Sequence, residues 1–259
     1  MHSYFFRPIA VIASNTYKEI VRDRLLYGVL VVALLVTGSS FFLANISFNQ
    51  NARVLQNVGL ASIHVFTLFI CVFVAATSMS RDVERRALYL LFPKPITRTT
   101  YVLGKYLGFV YLEITALLIL GVLFGIGSYV ADHSLLRSVI INLSFSFLEI
   151  SFLTALTMLF TTFTAPLNAA LYSSAFFIIG HSLTALKDYV DKLPGSFVHG
   201  LIDVCYYVLP NLEKYNVRTP LLYGLPLSHA AVAWSLVYWA VTTALVLSVS
   251  IAVMHKREV

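Results

Sequence analysis

Two carboxylates, Glu113 and Glu149, stand inside long apolar stretches of a 259-residue chain. A charged side chain at mid-membrane costs about 2.5–3.5 kcal/mol on insertion scales, so each is expected to face a bundle interior rather than lipid. Such a carboxylate can touch a solute in transit, or it can close an interhelical hydrogen bond. Ser144, Ser146, Thr154, Thr157 and Tyr111 are candidate partners for the second role. Both roles stay open for Glu149, the structural one is favoured for Glu113, and together they are the candidate pathway residues. His64 and His181 lie nearer the ends of their spans, and each reads as a satisfied interfacial histidine rather than a ligand.

Other chemistries find no matching spacing. The chain has neither the HExxH of zinc proteases nor the GxSxG of nucleophilic hydrolases. No cluster of aspartates suggests magnesium-dependent head-group transfer, and no metal site or bound cofactor is expected. The nucleotide loop GxxxxGK is missing too, because Thr99 stands where Gly104-Lys105 would need a glycine. Cys71 and Cys205 fall at different depths, beyond reach of a disulfide.

The elements that must hold these residues are membrane helices. Hydrophobic residues make up 59% of the chain and charged residues 12%, against about 25% charged in soluble domains. Mean hydropathy is +0.82. A chain of this size cannot hide that much apolar surface in its own core. The sequence therefore predicts an all-α membrane protein with one domain of six spans, near 25–45, 58–80, 101–130, 138–162, 167–186 and 229–254. The weakest boundary, between the fourth and fifth, has only Pro166 and Asn168 as turn signals. With the N-terminus inside, the cytoplasmic side carries 12 Lys and Arg and the other side 6. That bias puts both termini in the cytoplasm. The basic residues sit at span ends and mark membrane orientation, not nucleic-acid binding.

Three segments outside the spans are patterned. From 8 to 24, Ile9, Ile12, Ala13, Thr16, Tyr17, Ile20 and Val21 alternate at helical period with Asn15, Lys18, Glu19, Arg22 and Asp23. This predicts an amphipathic helix lying in the interface. From 82 to 91 a short charged, half-apolar helix should end before Pro93 and Pro95. It suits docking in a groove of a soluble partner. In the outer loop, 187–228, the residues Phe197, Leu201, Val204, Cys205 and Val208 share one helical face between Pro194-Gly195 and Pro210-Asn211. That helix could dip into the outer leaflet or cap the pathway.

The stretch from Arg81 to Gly108 resembles the link between the second and third spans in permease subunits of type-2 ABC exporters. It carries Glu84, LYLLF, Pro95-Ile96-Thr97-Arg98 and Leu103-Gly104-Lys105 in the family's order. KEIVRDRLLYGVL is similar to the family's elbow helix, VLPNLEKYNV to its outer loop before the last span, and MHKREV to its basic tail. Arg85-Arg86-Ala87 departs from the family's commoner Gly or Arg followed by Thr. The resemblance implies half of a transporter in a bacterial-type cytoplasmic membrane. Two permeases pair, as homodimer or heterodimer, and two ATP-binding subunits carrying ATP and magnesium dock below. The segment 82–91 would be the coupling helix, with Asp82, Glu84, Arg85, Arg86, Leu88 and Leu91 at the ATPase interface. A membrane scaffold without transport and an integral membrane enzyme are the alternatives. Co-purification with an ATPase separates them from a permease.

Overall fold

The computed structural model describes residues 3–46, 51–84, 97–131, 135–192, 197–222, 225 and 227–256. The regular elements among those residues are all helices, without a strand. In chain order the elements are α1 (Ser3–Val21), α2 (Arg24–Ile46), α3 (Asn51–Glu84), α4 (Arg98–Ala131), α5 (Leu135–Thr161), α6 (Pro166–Val190), α7 (Phe197–Val208), a 3-10 turn (Leu212–Tyr215), α8 (Arg218–Leu222) and α9 (His229–Lys256). Five of these, α3 to α6 and α9, are long and apolar enough to cross a membrane, and a sixth follows if α1 and α2, bent by 70°, are taken together. The 23 residues of α2 reach roughly 34 Å at about 1.5 Å per residue, enough for a hydrocarbon core.

The long helices α2 to α6 and α9 alternate in direction, as the contacts between their ends show. One face of the bundle therefore gathers Arg24, Glu84, Arg98, Thr161 and Lys256, while the other gathers Ile46, Ala131, Val190 and His229. The break after α5 follows from proline chemistry. Pro166 opens α6, and Ala165 before it is extended at φ −65°, ψ 154°, the conformation a following proline imposes. The helix it opens runs to Val190, longer than the sequence suggests.

The amphipathic pattern of α1 is used as written. Ile9, Ala13, Thr16 and Ile20 are buried, while Asn15, Lys18, Glu19 and Arg22 are exposed. The buried face lies on α4, where two glycines make room. A Cβ at Gly104 would stand 2.7 Å from Cβ of Ile12, and one at Gly108 2.7 Å from Cβ of Thr16. This glycine pair, with the spacing of a subunit interface, is spent inside the chain on seating α1. The second pair on α4 differs, since Gly121 faces Leu143 of α5 and Gly125 is only loosely met by Leu136. They border an apolar groove of about 930 Å³ between α4, α5 and α9.

At the face that gathers the termini, charged side chains tie the helix ends together. Lys105 Nζ lies 2.7 Å from Asp82 Oδ2. It also donates to Ser78 Oγ at 3.3 Å, and Tyr101 OH donates to the same Asp82 oxygen at 2.7 Å. Arg81 pairs with Asp23 at 3.7 Å, and Arg98 donates to the carbonyl of Met254. A lysine 4% exposed in an apolar helix needs such a counter-charge, because an unpaired buried ammonium costs several kcal/mol.

The α1–α4 contact yields a stability prediction. Gly108→Leu should overpack the seat and lower the stability of the purified protein by about 1–3 kcal/mol, seen as a lower melting temperature. Gly28→Leu, where a Cβ meets nothing within 4 Å, should melt near wild type. Equal melting of both variants would mean α1 does not hold this position.

Candidate functional site

Glu149 sits midway along α5 and is 3% exposed. Asn142, Ser146 and Glu149 share one face of α5, and the helices packed on that face decide what the carboxylate meets. α3 brings His64, whose Nε2 lies 3.6 Å from Glu149 Oε2 and whose Nδ1 is 3.0 Å from Ser146 Oγ. α6 brings His181, whose Nε2 is 2.6 Å from Glu149 Oε1. The other nitrogen of that ring, Nδ1, lies 3.1 Å from Glu213 Oε2 on the 3-10 turn. His181 therefore bridges a buried carboxylate to one on the loop segment. A neutral imidazole has one donor and one acceptor nitrogen. The bridge is complete only when the three groups hold a further proton, as an imidazolium or as one carboxylic acid.

The loop segment that carries Glu213 is built by local chemistry. Pro210 follows α7, and Asn211 Oδ1 accepts from the Glu213 backbone N–H at 2.9 Å, starting the turn in the way Asx side chains do. Asn216 Nδ2 donates to Glu213 Oε1 at 2.8 Å, fixing the carboxylate. Leu212 and Tyr215 are buried. Leu212 fits against Gly180, where a Cβ would stand 2.6 Å from its Cγ, so a glycine beside His181 lets the turn approach. α9 completes the seat: Tyr238 OH accepts from the Asn211 backbone N–H at 2.8 Å, and Ser235 donates to the Lys214 carbonyl at 3.1 Å.

These elements enclose a polar pocket of about 320 Å³. Asn142, Ser146, Glu149, His64, His181 and Arg218 contribute its polar wall and Phe177 its aromatic one. Asn142 Oδ1 and Arg218 Nε are buried without a hydrogen-bond partner. Burial holds the Arg218 guanidinium below its ordinary pKa, opposed by attraction to Glu149. Burial likewise pushes the Tyr215 phenol up. No group of three His, Cys, Asp or Glu among the described residues is arranged for a metal ion.

Sequence reasoning placed Glu149 inside the bundle but named other partners. None of the five hydroxyl residues expected to bond a carboxylate does so. Ser144 and Thr154 donate to backbone carbonyls one turn back, Thr157 to Ser173, and Ser146 faces His64. The two histidines expected to be satisfied at the interface are the partners instead. Glu113 is fully buried but stands apart, near Cys71, Tyr106 and Ser151, and no side chain bonds its oxygens.

Of the residues placed at the coupling interface, Asp82 faces Lys105 and Tyr101. Residues 82–84 continue α3 unbroken. The side chain of Glu84, with Arg85, Arg86, Leu88 and Leu91, lies outside the described residues. The two cysteines are free thiols.

Gly180→Leu should displace the turn, at a cost of about 1–3 kcal/mol for overpacking. Amide hydrogen exchange in 211–218 should then rise while exchange in α3 and α5 stays slow. Gly200→Leu, in open space, should leave the segment protected. Unchanged exchange in the Gly180 variant would show that the turn does not rest on α6.

Residues 20–209 match the family described as ABC-2 family transporter protein. A search of curated proteins finds no match.

Proposed function

The chain belongs to the ABC-2 family of transporter membrane proteins, and from that premise we propose that it is the permease half of an ATP-driven exporter. The family makes it the transport component. ATP hydrolysis is assigned to separate subunits that bind ATP and magnesium. Two such ATPases dock on the cytoplasmic side of a permease pair in the cytoplasmic membrane, and both termini of this chain face the cytoplasm.

The observation that carries the coupling part of this reading is the clamp around residues 85–97. α3 ends at Glu84 and α4 begins at Arg98. Asp82 before that segment is tied to Lys105 and Tyr101 after it, and Arg98 reaches the end of α9. A push on the intervening segment therefore meets helix ends that are already joined, and it moves α3 and α4 as a pair. α1, seated on α4 at Gly104 and Gly108, moves with them. In this reading α1 is the interfacial elbow and 82–91 the coupling segment. Asp82 is its internal anchor. Glu84, Arg85 and Arg86 form its rim, and Leu88 and Leu91 enter the ATPase groove. Glu149 borders the pathway from the opposite face, and Glu113 acts as a structural acid.

Rim charges in solvent contribute about 0–1 kcal/mol each, whereas a fully buried leucine contributes about 1.5–3 kcal/mol. Leu88→Asp or Leu91→Asp should therefore release the ATPase in a pull-down at equal expression, or leave hydrolysis uncoupled from transport. Reversal of Arg85 or Arg86 should do less, and its effect should shrink with added salt. Lys105→Met should leave ATPase recovery intact and weaken coupling. Full recovery and normal transport in both leucine variants would overturn the assignment of the coupling segment.

A further inference from the structure

We propose that Glu149 is a proton-exchange site, served from the medium at the 187–228 face by a relay that runs from Glu213 through His181. The inference uses the geometry of the pocket alone and does not depend on the permease reading. Side-chain exposure rises in steps along the three groups, from 3% at Glu149 to 26% at His181 and 38% at Glu213. The buried acid thus has a continuous chain of hydrogen-bond contacts, 2.6 and 3.1 Å long, to a carboxylate in reach of water. Chains of Asp, Glu and His inside a membrane protein are the chemistry of proton relays.

The transfer balances as a single proton moved. Glu213 takes a proton from the medium while the His181 ring is neutral, with its hydrogen on Nε2 toward Glu149. Glu213 gives its proton to Nδ1, and the ring gives the Nε2 hydrogen to Glu149 Oε1. Glu149 is left as the carboxylic acid, Glu213 as the carboxylate, and the ring as its Nδ1–H tautomer. The reverse sequence returns the proton to the medium.

The other charged and titratable groups around Glu149 do not offer the same route. From α3, His64 approaches it at 3.6 Å, but this ring is itself buried and its second nitrogen ends on Ser146. From α8, Arg218 lines the pocket as a fixed positive charge. Tyr215 of the turn is buried beneath Tyr238 of α9, and Lys214 lies over that second ring. Glu113 of α4 faces Ser151 and Cys71.

The test uses the full chain in lipid nanodiscs. Infrared difference spectra across a pH step should contain a carboxylic acid band that Glu149→Gln removes and Glu149→Asp shifts. After a rapid pH jump, that band should grow about a hundredfold more slowly in His181→Gln and in His181→Phe. The glutamine keeps a hydrogen-bonding amide at that position but cannot pass a proton. Glu213→Gln should slow the band as well, and His64→Gln should leave its rate unchanged. Water reaching Glu149 directly through the pocket predicts a wild-type rate in both His181 variants, and that result overturns the relay. A pH step that produces no band sensitive to Glu149 overturns the exchange site itself.

Discussion

Hydrocarbon supplies no hydrogen bonds, so a charge carried into a span must find its partner within the protein. Glu149 meets that demand with His181, and His181 has a second nitrogen to satisfy. Glu213 satisfies it, and Glu213 comes from a segment outside the spans. The position of the turn over the bundle thus depends on an electrostatic need created deep in α5. Leu212 against Gly180, Asn211 against Tyr238 and Ser235 against Lys214 then fix the turn from three other directions.

The same demand operates at the opposite face. Lys105 is buried in α4, and Asp82 at the end of α3 answers it. α3 therefore carries a member of each cluster, with His64 in one and Ser78 and Asp82 in the other. Asp82 follows His64 by 18 positions, roughly 27 Å along the helix at about 1.5 Å each. α3 and α5 also meet along much of this length through Cys71, Val72 and Ala76 against Ile150, Phe152 and Leu153. The helix that ends at Glu84 is thus the helix that supplies one wall of the polar pocket.

Elements governed by local rules were legible in the sequence. The polar stripe of α1, the start of α6 at Pro166, and α7 between its two proline-marked turns all follow from periodicity or backbone chemistry. Rotational phase was not legible. Asn142, Ser146 and Glu149 share one face of α5, but nothing in that sequence says which helices the face meets. His64 and His181 are far from it in the chain and on separate helices, and each looks solitary there. A sharper signal was available: two histidines and a carboxylate, all within spans, are costly one by one and cheap as a group. Asp82 was hidden for a related reason, since Lys105 looked like an ordinary positive charge at a span end. The glycine pair of α4 has the spacing of a close-packing surface, but that spacing does not say whether the partner is another subunit or, as found, α1.

The bridge from Glu149 through His181 is the interaction on which this account turns, and a double-mutant cycle measures it most directly. Unfolding free energies of the wild type, Glu149→Ala, His181→Ala and the double variant, none of which keeps a hydrogen-bonding group at a changed position, would be compared in one detergent. Coupled groups in direct contact show interaction energies of about 0.5–3 kcal/mol. This account predicts a value in the upper half of that range. Additive effects, with a coupling near zero, would contradict it, since the contact would then contribute nothing to holding the loop segment on the bundle.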